Sequence, residues 1–402
     1  MRSVVYFLIC GIGLHGVASA QQTVTRAEAI ASALSRGARL AVARADTAAA
    51  RAQLITAGAR ENPLLAASYS KSPPQYHLTL ELPFVLPGVR SLRIESAQAN
   101  RRAAGYRFEF ERAAIAVDAD TTFTRAQAAH AHAVLSRRNA ADADTLLSMA
   151  IARRNAGDAA ELDVQLAMVN AGQQRNLAIA DSISLLLALE DLRTVMGLPA
   201  GTGPLVLADS LVAPPVPGDS AMLFAGTPLP VAAAQQALTS AELALRLERR
   251  NVFGSPAILG GIETHDPTGG EPGILPTYGF SIPLPLLNRN KGPIAQAAAE
   301  RTRASAELAL ARLETEARIA RAIRERSAFL ARVARDQQLL ASANRIAAMS
   351  LTAYRAGAVS LPNVFEAQRN ARDVLSQYID DVVGAWIAES TLRLMTLTAG
   401  SP

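Results

Sequence analysis

The chain has 402 residues, a formal net charge of +5 and one cysteine. Its basic residues are arginine except for Lys71 and Lys291. This bias, with abundant alanine, fits a GC-rich genome and gives the charge no nucleic-acid role. Cys10 cannot form a disulfide within the chain, and a cysteine-based metal site is excluded.

Residues 1–20 read as an export signal. Arg2 supplies a positive start, Val4 to Leu14 an apolar stretch, and Ala18-Ser19-Ala20 a cleavage step, so the mature chain is expected to begin near Gln21. Cys10 lies inside this segment and is poorly placed for a lipid anchor. No run of eighteen apolar residues follows, because the densest patch, Ile183 to Leu189, is flanked by Asp181 and Glu190. No transmembrane helix is therefore predicted after the signal. An exported chain of this kind is periplasmic, secreted or an outer-membrane barrel.

Thr25 to Gly58 reads as a helix opened by the capping-box pattern Thr25-x-x-Glu28 and closed by Asn62-Pro63. Leu64 to Tyr69 is strand-like, and Lys71-Ser72-Pro73-Pro74 is a turn. Tyr76, Leu78, Leu80, Leu82 and Phe84 then alternate with His77, Thr79 and Glu81, a period of two that separates a greasy face from a wet one. From Val89 to Asn155 there is one glycine, Gly105, and no proline. A single helix of that length would run roughly 100 Å. Asn155-Ala156-Gly157 signals a helix end, a helix follows from Ala159 to Met196, and residues 200–230 form a linker.

A helix from Val231 to Asn251 opens a second series. Ala257 to Thr264 is strand-like, and Asp266 to Gly273 is a loop. Tyr278, Phe280, Ile282 and Leu284 alternate with Thr277, Gly279 and Ser281. Long helices then run from Pro293 to Ala356 and, past a turn at Gly357, from Leu361 to Leu397. This repeats the first series at an offset of two hundred. Leu82-Pro83 matches Ile282-Pro283, Ala97 matches Ala297, Arg101 matches Arg301, Arg112 matches Arg312, Gly157 matches Gly357, Val164 matches Val364, and Asn170-Ala171 matches Asn370-Ala371. Two copies of one unit are expected, residues 21–199 and 231–398, with hairpins at 64–86 and 257–287. The second hairpin is seven residues longer between its prolines, 256 to 283 against 63 to 83.

Each hairpin would supply two strands of roughly ten residues, enough to cross a bilayer when tilted. Four strands cannot close a useful barrel alone, whereas three protomers would give twelve, an even number of workable diameter. The alanine-rich helices suit side-by-side packing into a helical barrel. Taken singly, the strands fit an ordinary half-buried sheet better than a barrel, and the long helices fit a soluble periplasmic adaptor or scaffold without a pore.

The chain resembles the TolC family of outer-membrane efflux channels over nearly its whole mature length. The resemblance rests on Asn62-Pro63, Pro83, Pro87-Gly88, Ser255-Pro256 and above all Ile282-Pro283-Leu284-Pro285-Leu286-Leu287-Asn288-Arg289-Asn290-Lys291-Gly292-Pro293-Ile294-Ala295-Gln296-Ala297. That last run is especially similar to the cobalt–zinc–cadmium (CzcC-like) branch. The turns match too: Arg154-Asn155-Ala156-Gly157 with Asp163-Val164, and Tyr354-Arg355-Ala356-Gly357 with Asn363-Val364. Asn363 stands where the family often has aspartate, and Arg154 where an aromatic is common.

The resemblance implies a mainly α protein with β-hairpins: a trimeric α/β-barrel with a long helical periplasmic barrel and a 12-stranded outer-membrane β-barrel, four strands per protomer. It implies a passive efflux duct in outer-membrane lipid, worked by an adaptor (membrane fusion) protein and an inner-membrane pump of the resistance-nodulation-division (RND) type. The adaptor would dock at tips formed by Arg154, Gly157, Asp163, Val164, Tyr354, Gly357, Asn363 and Val364. Tyr76, Leu78, Leu80, Tyr278, Phe280 and Ile282 would face lipid, with His77, Thr79, Thr277 and Ser281 toward the lumen.

No catalytic, cofactor or metal constellation is expected. His130 and His132 are two apart and so sit on different faces of a helix, which makes them a poor metal pair. Asp118, Asp120, Asp380 and Asp381 read as solvated or lumen-facing charges. Gly269-Gly270 lacks the strand-to-helix context of a phosphate loop.

Overall fold

The computed structural model describes residues 22–199, 204–215, 226–270 and 273–400. The expected export signal, with Cys10, lies outside the described residues, as does part of the linker. The elements run β1 (Gln22–Val24), α1 (Arg26–Arg36), α2 (Ala38–Gly58), β2 (Leu64–Tyr69), β3 (Tyr76–Pro83), α3 (Val89–Asn155), α4 (Glu161–Val195), β4 (Leu205–Leu207), α5 (Leu229–Arg250), β5 (Ala257–Thr264), β6 (Ile274–Ser281), α6 (Lys291–Arg355) and α7 (Leu361–Met395). The rods α3 and α6 have 67 and 65 residues, and α4 and α7 have 35 each. Among the described residues no helix is long and apolar enough to cross a membrane.

The first expected helix is two. Gly37 adopts an extended conformation (φ −63°, ψ 127°) and separates α1 from α2. Glycine is a weak point in any helix because its unfolded backbone has so much freedom. Contacts divide the chain at this residue into two compact units: Met1–Arg36 with Thr122–Leu211, and Gly37–Thr121 with Val212–Pro402.

In the first unit β1 and β4 pair in parallel, Val24 opposite Leu207. This small sheet leaves no mark in the sequence, since three-residue strands are too short to show a period. Val24, Ala29, Phe123, Ala126, Leu192, Met196 and Leu205 form the buried core beside it. The capping box closes as expected: Thr25 N donates to Glu28 Oε2 at 2.8 Å, and Glu28 N donates to Thr25 Oγ1 at 3.3 Å. Arg26 donates to Thr124 Oγ1 and Gln127 Oε1 at 3.1 and 3.0 Å while its guanidinium lies 5.5 Å from the Phe123 ring centre.

In the second unit β2, β3, β5 and β6 form one antiparallel sheet in that order. Helices α6 and α7 lie side by side, allowed by Gly384, where a Cβ would overlap the Phe329 ring. Two aspartates that read as solvated are in fact buried here. Asp120 accepts a hydrogen bond from Ser390 Oγ at 2.7 Å. Asp381, 1% exposed, accepts from Arg332 Nη2 at 2.8 Å. Asp118 stays at the surface, 2.9 Å from Arg39 Nη1.

Candidate functional site

The sheet of the second unit is the first candidate. Residues opposite one another across antiparallel strands share a face. Tyr69 opposes Tyr76, which opposes Thr264 and, through it, Ile274. Ala67, Leu78, Ile262 and Pro276 form the next row, then Leu65, Leu80, Gly260 and Tyr278, then Leu82, Ile258 and Phe280. One face is thus apolar across all four strands. It is also uncovered within the chain: Tyr278 is 84% and Phe280 77% exposed, and Leu65, Leu80, Ile258 and Ile274 are exposed as well. The opposite face carries Ser68, His77, Thr79, Glu81, Glu263, Thr277 and Ser281. There His77 Nδ1 sits 3.4 Å from Glu263 and its Nε2 3.2 Å from Ser70 Oγ.

The strands are six to eight residues long, shorter than the ten expected. β6 ends at Ser281, so Ile282 lies just past it. Exposed apolar residues nevertheless continue through Ile282, Leu284, Leu286 and Leu287. At the loop end Tyr69, Tyr76 and His265 cluster, with ring centres 5.4 and 5.5 Å apart along the row. Within the chain β2 and β6 are edge strands, each with one side of its ladder unpaired.

The two helix turns are the second candidate, one in each unit. In the first unit Gly157 is left-handed (φ +84°); its N–H donates to Arg154 O at 3.0 Å, and Asp158 N donates to Arg153 O at 2.9 Å. In the second unit Gly357 (φ +73°) donates to Tyr354 O at 3.0 Å, and Ala358 N to Ala353 O at 2.8 Å. Both are Schellman ends, which need a residue free of the left-handed Cβ penalty. Arg154 pairs with Glu161 at 2.9 Å. The Glu161 carboxyl is held below its ordinary range by hydrogen bonds from Gln165 and from Arg154. Around these turns Arg154, Gly157, Gly357 and Asn363 are exposed and Asp163 is half-buried, whereas Val164, Tyr354 and Val364 are buried in their own unit.

The Asn288 to Gly292 run has a structural task. Asn290 caps α6 in a left-handed conformation (φ +58°) and donates from Nδ2 to both Glu248 O and Glu248 Oε2 at 2.8 Å. Asn288 Oδ1 accepts from Asn290 N at 3.0 Å. Asparagine tolerates this conformation better than most residues. The run therefore fixes the start of α6 against the end of α5.

Residues 275–396, covering most of β6 and all of α6 and α7, match the model of the outer membrane efflux protein family. No curated protein matches the chain. Among solved structures, the chain is similar to the outer membrane protein VceC of Vibrio cholerae, at 16% identity over 93% of this chain and 96% of that one, with a TM-score of 0.78. It is similar to CusC, studied for its folding and transmembrane channel formation, at 18% identity over 94% of each chain and a TM-score of 0.76. It is also similar to the Campylobacter jejuni outer membrane channel CmeC, at 14% identity over 92% of this chain and 85% of that one, with a TM-score of 0.74. The fold is that of the outer-membrane efflux channels, helical with a β part.

Proposed function

We propose that the chain is the outer-membrane component of a tripartite efflux system, a passive duct built from three copies. The observation that carries this reading is the four-stranded sheet: a continuous apolar face left uncovered, a polar face behind it, and two open edges. In water such a face and such edges are a liability. In a closed membrane barrel the apolar face meets lipid and each edge finds a partner. Twelve strands from three protomers give a barrel with a polar lumen. Tyr69 and Tyr76 then belong to the aromatic girdle at one interface, and Phe280 and Phe84 to the other. The helices extend into the periplasm.

Adaptor docking is assigned to the exposed members of the two turns, Arg154, Gly157, Asp163, Gly357 and Asn363. Val164, Tyr354 and Val364 act by holding those turns in shape. The pump that drives the duct is of the RND type. Heavy-metal cations are the proposed cargo, supported by the similarity of the Ile282 to Ala297 run to the cobalt–zinc–cadmium branch. The two series α2 to α4 and α5 to α7 descend from one duplicated unit.

Reconstitution of the purified chain in planar lipid bilayers tests the duct. Conductance steps from a detergent-soluble trimer are expected. A protein that stays soluble without detergent and conducts nothing would favour the adaptor reading. Deletion of the gene should lower tolerance to zinc, cobalt or cadmium. Unchanged tolerance to all three would remove the metal assignment and leave the duct standing.

A further inference from the structure

Asp336 of α6 and Asp381 of α7 are buried, with 8% and 1% of their surface exposed. Asp336 stands one helical turn beyond Arg332, on the same face of α6, and Arg332 reaches across to Asp381, so the two carboxyls face one another between the helices. Arg332 Nη2 and Gln377 Nε2 donate to Oδ1 of Asp381, at 2.8 and 3.1 Å. Arg335 lies near Asp336. Among the described residues no N–H or hydroxyl reaches Oδ2 of Asp336 or Oδ2 of Asp381, and both atoms are shut off from solvent. Two ionised carboxylates offer only acceptors, so as an ionised pair they would repel across the helix contact and leave both oxygens unsatisfied. One proton removes both faults, because a protonated carboxyl can donate to its neighbour. The proton is placed on Asp336, the carboxyl that the arginine and the amide do not engage.

We propose that Asp336 and Asp381 share one proton, and that this proton is a pH-sensitive clamp between α6 and α7. The site lies about 30 Å along each helix from the Gly357 turn at 1.5 Å per residue. The clamp therefore sets how firmly the last turns of α6 and the first turns of α7 are held together. This role is independent of the duct reading.

Burial raises the Asp336 carboxyl above its ordinary range, the charge on Asp381 raises it further, and Arg332 and Arg335 oppose the rise. The folded chain thus holds this proton more tightly than the unfolded chain does. The contribution is complete below the ordinary aspartate value of about 3.9 and is lost as pH rises through the raised folded value. Acid tightens the clamp and alkali loosens it.

Hydrogen exchange of the full chain in detergent, corrected for intrinsic rates, tests this between pH 5 and 8. Wild-type amides near 332–340 and 377–385 should lose protection as pH rises, about tenfold for each unit by which the folded proton affinity exceeds the unfolded one. Asp336→Asn keeps a donor toward Asp381 at every pH, so its protection should not vary with pH. A wild-type pH slope retained in Asp336→Asn, or no slope in the wild type, overturns the clamp. Should Asp336→Asn fail to fold, infrared spectroscopy of the wild type decides. A protonated-carboxyl band persisting at a pH where ordinary carboxylates are ionised supports the shared proton, and its absence overturns it.

Discussion

At Asn290 the backbone takes a conformation that a residue other than glycine or asparagine enters at a cost of about 1–2 kcal/mol. Its side chain also makes two bonds to Glu248. Asn290→Ala should therefore destabilise the chain by about 2–3 kcal/mol in denaturant or thermal unfolding. Asn290→Gly should recover part of this loss by restoring the left-handed turn without the bonds. The glycines separate in the same way. A Cβ at Gly157 meets nothing within 4 Å, so alanine there should cost only the left-handed strain, about 1–2 kcal/mol. A Cβ at Gly197 (φ +69°) would lie 3.0 Å from the Arg36 carbonyl, and Gly197→Ala should unfold at a visibly lower temperature than Gly157→Ala. The turn glycines could be read in the sequence because a breaker after a long unbroken run has one local meaning. The burial of Asp120, Asp381 and Tyr354 could not, because it depends on what faces each residue from another helix.

The elements themselves were largely visible. Sixty-seven residues without a proline predicted α3 to the residue, and α6 and α7 lie within two residues of their expected ends. Gly37 does not show as a break in the sequence because the alanine pattern continues on both sides of it. The β6 strand lies earlier than its alternation suggested. Its last residue, Ser281, already pairs with Ala257, the first of β5, and no partner remains for the alternating residues beyond. Which strand face is apolar was legible from the period of two. That the rows of four strands align was not, since register arises between segments nearly two hundred residues apart. The alignment makes a sharp expectation. Leu78→Arg or Leu80→Arg should lower stability in lipid by up to about 2–4 kcal/mol near the midplane, and Thr79→Arg or Thr277→Arg by much less. Urea unfolding of the membrane-inserted protein measures both, and equal losses on the two faces would count against a lipid-facing sheet.

For the whole molecule the matched lengths of α3 and α6 are the feature to perturb. Removing seven residues takes out nearly two turns and roughly preserves which side of a helix faces its neighbours, while shortening it by about 10 Å. Deleting seven residues from α3 alone should impair efflux, and the same deletion from both α3 and α6 should restore trimer formation at least in part, as read by cross-linking. A double deletion no better than the single would show that the rods are not equivalent. The sheet carries a different consequence. β2 and β6 run in opposite directions, so β6 of one copy can meet β2 of the next in the same alternating sense. This parity holds for a ring of any size. In the proposed ring, strand direction alone therefore does not count to three, and the number of copies has to be imposed elsewhere. Until it is, each newly made chain has two adhesive edges that would accept another copy indefinitely, and ring closure competes with open-ended growth. A free peptide of the β2 sequence should act as a chain terminator, capping β6 and trapping incomplete rings.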